Sequence, residues 1–146
     1  MMSLSKSAST SSRWLPLLAW IFVIFVFSTD NFADTKTSGV IIPVLHWLFP
    51  GLSQEQLNLA HVICRKAGHV LEFFVLGLLA WRAFGTERTS GMKQWISSAA
   101  LVFAVAMTDE FHQSFVPTRT ASIIDVGYDL SGGIAALLIV RCRGGL

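Results

Sequence analysis

Three short runs of the chain place charged side chains where a helix would gather them on one face. In the first, Arg65, His69 and Glu72 stand at i, i+4 and i+7, one stripe of an α-helix, with Lys66 on its flank. In the second, Asp109, Glu110 and Gln113 fall within about one quadrant of a helix that turns ~100° per residue. In the third, Ser122, Asp125 and Asp129 share a stripe, and Gly132 and Gly133 follow. Arg119 lies between the second and third runs, in the turn-like segment FVPTRTAS. His69 with Glu72, and Glu110 with His112, are acid/base pairs in composition. Arg65, Lys66, His69 and Arg119 can donate to a phosphate as forks or point charges. The acids and histidines include ligands suited to a divalent ion, but no HExxH or comparable motif arranges them. No activated Ser or Cys nucleophile stands out, and no metal or cofactor is expected.

The elements that must position these residues are membrane-spanning helices. Of 146 residues 53% are hydrophobic and 14% charged, against about a quarter charged in soluble domains. The mean hydropathy is +0.58. Crossing ~30 Å of hydrocarbon takes about 20 helical residues. Four stretches approach that length, at about 14–29, 67–84, 94–111 and 122–140, and they lack the polar stripe that a water-facing helix needs. The expected architecture is therefore an all-α bundle of four transmembrane helices over residues 14–146. The Ser-rich residues 1–13 read as a disordered cytoplasmic tail. The first span has a basic flank (Lys6, Arg13) like a signal peptide, but STDNFADTKT offers no convincing cleavage site, so a retained anchor is expected. Pro16 falls near its start, where a missing N–H costs little.

Lys6 and Arg13 precede the first span, Arg82, Arg88 and Lys93 lie around the second connection, and Arg141 and Arg143 follow the fourth span. The excess of Lys and Arg marks the cytoplasmic side. Both termini and the hairpin FGTERTSGMK are thus expected inside, with Glu87 as the acid there, and the polar cluster outside. Cys64 should then lie near the outer face and Cys142 near the inner one, too far apart for a disulfide. The net charge of +2 gives no reason to expect nucleic acid.

The first outer loop is the longest connection. Its middle, VIIPVLHWLFPGLS, suits a short interfacial or re-entrant helix anchored by Trp47 and Phe49. Ser53 with Gln56 reads as a capping box opening a helix that runs through His61 into the second span. His46 and His61 are expected at the interface, satisfied by water or headgroups. Asp30 and Asp34 look like solvated loop charges. Gly68, Gly77, Gly132 and Gly133 read as sites of close helix packing.

Ionisable groups within spans mark function by default, and three helices here carry them at one depth. The runs RKAGHVLEFFVLG and TDEFHQSFVPTRTASIIDVGYDLSGG resemble the VanZ family of bacterial membrane proteins. The shared pattern is Lys66-x-x-His69-x-x-Glu72, then Asp109-Glu110-x-x-Gln113, then Arg119, Asp125 and a Gly-bearing helix. Thr118 stands where many members carry Gly before the turn Arg, and Asp129 where they often carry Asn. The resemblance implies a multi-pass protein of the bacterial plasma membrane with an envelope role; the family's namesake is linked to low-level teicoplanin resistance. Several readings of the cluster remain open. It can bind an anionic lipid or lipid-linked cell-wall precursor through Arg65, Lys66, Gln113, Arg119, Asp125 and Asp129. It can be an acid/base or metal-assisted hydrolase or transferase acting on a lipid phosphate, through His69, Glu72, Asp109 and Glu110. It can be a purely structural charge network in a partner-binding protein. Transport would need a homo-oligomer, because four helices are few.

Overall fold

The computed structural model describes residues 10–85, 91–119 and 121–144. Among them the chain forms five α-helices, one 3-10 turn and no strand. Helix α1 covers Thr10–Phe27, the 3-10 turn Asp30–Phe32, α2 Asp34–Leu48, α3 Gln54–Phe84, α4 Gly91–Gln113 and α5 Ile123–Gly144. The all-helical expectation holds. Residues 1–9 of the expected tail, and Glu87 and Arg88 of the expected inner hairpin, lie outside the described residues.

Helix α1 starts at Thr10, so Pro16 lies well inside it rather than near its start. Proline cannot donate to the carbonyl four residues back, and that carbonyl, Ser12 O, accepts instead from Arg82 Nη2 of α3 at 3.1 Å. The same two helices are stitched antiparallel along their length. Arg13 Nη1 donates to Gly85 O, Trp14 packs edge-on to Phe84 at 5.1 Å, and Trp20 Nε1 donates to Glu72 O at 2.9 Å.

Ser53 caps α3 as its sequence indicates, with Gln56 N donating to Ser53 Oγ and Ser53 N donating to Gln56 Oε1. The helix then runs unbroken for 31 residues. Helix α5 packs closest against it, because glycines remove the side chains that would hold the two apart. A Cβ on Gly132 would stand 2.0 Å from Val70 O, and one on Gly77 2.7 Å from Gly133 O. A Cβ on Gly133 would stand 2.4 Å from Val102 Cγ1 of α4. Phe73, Leu76 and Ala80 of α3, Val102 and Ala106 of α4, and Leu17 and Ile24 of α1 complete the buried core. Outside it, Leu15, Leu18, Phe22, Leu71, Ile96 and Phe103 are exposed, an apolar coat that water disfavours and lipid accepts.

The segment expected at the interface is a helix, and it starts at Asp34, earlier than its apolar core. Trp47 is 80% exposed and Phe49 55%. By length and apolarity alone, the Ile123–Arg143 part of α5 can cross a membrane unaided. Ser11–Phe27 and Asp30–Leu48 pass the same test jointly but are bent by 68°. Helices α3 and α4 carry the charges of the polar cluster, which lowers their apolarity.

Candidate functional site

One end of the bundle holds a cleft of ≈ 250 Å³. Helix α3 supplies Arg65, Gly68, His69 and Glu72 to its wall, α4 supplies Asp109 and Gln113, and Arg119 comes from the turn that follows. Ile24, Phe27 and Ser28 at the end of α1, Phe32 in the 3-10 turn, and Thr37 and Ile41 of α2 close the remaining sides. Six of the residues singled out by spacing thus share one cavity, lined on its other sides mainly by apolar groups.

The two arginines meet at one backbone atom. Arg119 Nη2 donates to Phe32 O at 2.8 Å and to Phe27 O at 2.6 Å. Arg65 Nη1 donates to the same Phe32 O at 3.4 Å and to Thr37 Oγ1 at 3.2 Å. Arg65 Nε lies 3.4 Å from Asp34 Oδ1, whereas no described carboxylate lies within ion-pair distance of Arg119. Burial, with the Arg65 charge beside it, pushes the Arg119 guanidinium down from its ordinary value, against the pull of Asp109, Glu72 and Glu110.

Deeper in, Gln113 stands between cation and acid. Its Oε1 accepts from Arg119 Nη1 at 3.4 Å, and its Nε2 donates to Asp109 Oδ2 at 2.8 Å. Asp109 Oδ1 is buried with no hydrogen-bond partner. His69 Nδ1 lies 3.0 Å from Oδ1 of Asp129, which is wholly buried. A carboxylate there fixes the proton on Nδ1 and leaves Nε2 for the cleft.

Lys66, Glu110, Asp125 and Asp129 do not line the cleft. Lys66 is engaged by Asp125, an α3–α5 ion pair, and its Nζ lies 5.4 Å over the Tyr128 ring. The cleft cation on α3 is therefore Arg65, which shares the stripe of His69 and Glu72, rather than the flanking Lys66. Glu110 accepts from Ser122 N at the start of α5, so it serves a backbone group exposed at a helix N-terminus. His112 is not its partner: His112 Nδ1 is 3.4 Å from Ser28 Oγ, and its ring packs edge-on to Phe25.

Other expectations need correcting. His61 is 3% exposed, its Nε2 3.3 Å from Thr37 Oγ1 and its Nδ1 3.8 Å from Asp34; protein groups, not water or headgroups, satisfy it. Asp34 opens α2 and holds Arg65 rather than standing free. Asp30 accepts from Thr118 and Lys36, tying the 3-10 turn to the α4–α5 connection. These bonds hold its carboxyl below the ordinary value of 3.8. Thr118 fits without glycine because no described residue has a positive φ. Gly68 is no packing glycine, since a Cβ there meets nothing within 4 Å and its surface lines the cleft. Its place on the Arg65–His69–Glu72 face was the available signal. Cys64 and Cys142 are both free and exposed. Among the described residues, no three His, Cys, Asp or Glu side chains group as a metal ion would need.

A helical bundle with an apolar coat, a helix able to cross the bilayer and a charged cleft defines a membrane protein with an internal polar site. The chain belongs to the VanZ/LLP1 family, whose model matches residues 13–144. It is 32% identical over 126 residues, 81% of this chain and 82% of the relative, to the Uncharacterized membrane protein YwnJ of Bacillus subtilis (strain 168). No solved structure matches it.

Proposed function

We propose that this is a bacterial cell-envelope protein that crosses the plasma membrane four times and binds the anionic headgroup of a lipid or lipid-linked cell-wall precursor in its cleft. Both termini are cytoplasmic and the cleft opens to the outer face, a reading that the distribution of Lys and Arg supports. Helices α1, α3, α4 and α5, with 18, 31, 23 and 22 residues, supply the spans. Two guanidiniums converging on Phe32 O, one of them without a carboxylate partner, carry the headgroup reading. Like charges held together in a half-buried site invite an anion, and the fork of arginine suits phosphate. The apolar walls of Ile24, Phe27 and Ile41 accept the start of a lipid chain. Where the ligand is a wall precursor, occupancy of the cleft alters susceptibility to teicoplanin.

Native mass spectrometry of the detergent-purified protein tests the reading. A phosphate-bearing lipid retained by the wild type and lost in Arg119→Ala supports it, provided the variant still inserts and stays monodisperse. A folded wild type that retains no such lipid sinks it and moves the cluster to a structural role, for which the Lys66–Asp125 pair between α3 and α5 is the motif. A second reading has its own observation. Asp129 orients His69 as the third member of a hydrolase triad orients its base, so a lipid phosphate that changes mass on incubation marks an enzyme.

A further inference from the structure

The lining of the cleft carries four formal charges that do not pair with one another. Arg65 and Arg119 stand at one end, where both reach Phe32 O. Glu72 and Asp109 stand at the other, with no Arg, Lys or His nitrogen within ion-pair distance among the described residues. Seven residues separate Arg65 from Glu72 along α3, roughly 10 Å of helix axis. Gln113 keeps the two ends apart, its amide bridging Arg119 to Asp109 so that guanidinium and carboxylate do not meet. His69 is matched to Asp129 and forms no ion pair with either cleft acid.

Asp109 sets what the acidic end accepts. Its side chain is 2% exposed, it lines the cavity, and Oδ1 closes no hydrogen bond, although the Ser28 hydroxyl stands beside the carboxyl. A buried carboxylate oxygen is stabilised by an N–H or O–H donor, most strongly by a charged one. The Glu72 carboxyl lines the same cavity. Two carboxylates with no ion-pair partner favour a cation, and the unpartnered Oδ1 favours one that carries a hydrogen.

We infer that the headgroup held in the cleft is a zwitterion, a phosphate joined by a short linker to a primary ammonium. This rests on the reading that Arg65 and Arg119 hold an anionic headgroup, and it adds the group on the far side. The phosphate takes the forks of the two arginines; the ammonium donates to Asp109 Oδ1 and Glu72; the chain leaves along Phe27 and Ile41. A cavity of ≈ 250 Å³ is small among ligand sites and matches a headgroup of this size. A quaternary ammonium has no hydrogen for Asp109, and a glycerol headgroup brings donors without charge.

The test is competition among lipids, read by native mass spectrometry of the full chain in mixed micelles. The micelles contain equal amounts of phosphatidylethanolamine, phosphatidylglycerol and phosphatidylcholine. The wild type is expected to retain phosphatidylethanolamine over each of the others by about tenfold, the ratio that ~1.4 kcal/mol of differential binding produces. Asp109→Asn and, independently, Glu72→Gln are expected to bring phosphatidylethanolamine down to the phosphatidylglycerol level without lowering phosphatidylglycerol itself. Two variants keep the test open if one of them fails to fold. Equal retention of the three lipids by the wild type overturns the inference, and so does a preference that survives in both folded variants. If that equal retention disappears in Arg119→Ala, the headgroup reading stands while the zwitterion falls. If no retention depends on Arg119, both fall.

Discussion

At the scale of single residues, the site works by matching each polar group to a particular neighbour, and adjacent residues go to different tasks. Lys66 and Arg65 differ by one position, yet Lys66 is engaged by Asp125 while Arg65 reaches the cleft. Spacing places Arg65 on the stripe of His69 and Glu72 and Lys66 on its flank. Lys66 turns instead to α5, which Gly132 lets lie against the backbone of α3. Asp30 shows the reverse case, an apparent loop charge that fastens one side of the site. It is half-exposed, and its bonds to Lys36 and Thr118 favour the ionised form. Its folded value lies below its unfolded one, so the contribution is complete above the ordinary value and is lost as pH falls through the folded value. Thermal melting of wild type and Asp30→Asn in detergent should therefore differ by a constant amount between about pH 5 and 8, and the difference should shrink below about pH 4. A difference that instead grew toward low pH would show that the carboxylate is not the form the structure uses.

At the scale of elements, glycine has two uses on facing helices, and the structure separates them. Gly132 lets α5 lie against the backbone of α3, with a hypothetical Cβ 2.0 Å from Val70 O. Gly68 faces open space inside the cleft. Gly132→Ala must push two backbones apart, and overpacking of this kind costs about 1–3 kcal/mol, so its melting temperature should fall clearly. Gly68→Leu should melt like the wild type and lose lipid, because its side chain fills the cavity. Equal melting of Gly132→Ala and wild type would mean the α3–α5 contact is looser than described. Several features of these elements could be read from residue order. The Ser53–Gln56 box marks the start of α3, and the i, i+4, i+7 stripe names three of its cleft residues, because both are local patterns of one helix. Other features depended on contacts distant in sequence. His61 reads as an interfacial histidine until α2 folds over it and supplies Thr37 and Asp34. Phe32 O, where the two arginines meet, is a backbone atom in an irregular connection and has no side-chain signature.

At the scale of the whole molecule, the length of α3 bears on how the bundle sits in the bilayer. Its 31 residues make a helix about 46 Å long, well beyond the ~30 Å of hydrocarbon. The part from about Gln54 to Lys66, which carries Glu55, Arg65 and Lys66, therefore extends past the apolar slab on the side of the cleft. On the proposed topology, that extension and Cys64 on it would face outward, and Cys142 at the end of α5 would face the cytoplasm. Both cysteines are exposed and free, so the protein carries its own pair of topology probes. Cys142→Ser leaves Cys64, and a membrane-impermeant maleimide should label this variant on intact cells. Cys64→Ser leaves Cys142, which should react only after the membrane is permeabilised. The opposite pattern would turn the cleft toward the cytoplasm and replace an envelope ligand with an inner-leaflet one. Labelling of both variants from outside would place an even number of crossings between the two cysteines, against the odd number given by the rest of α3, α4 and α5.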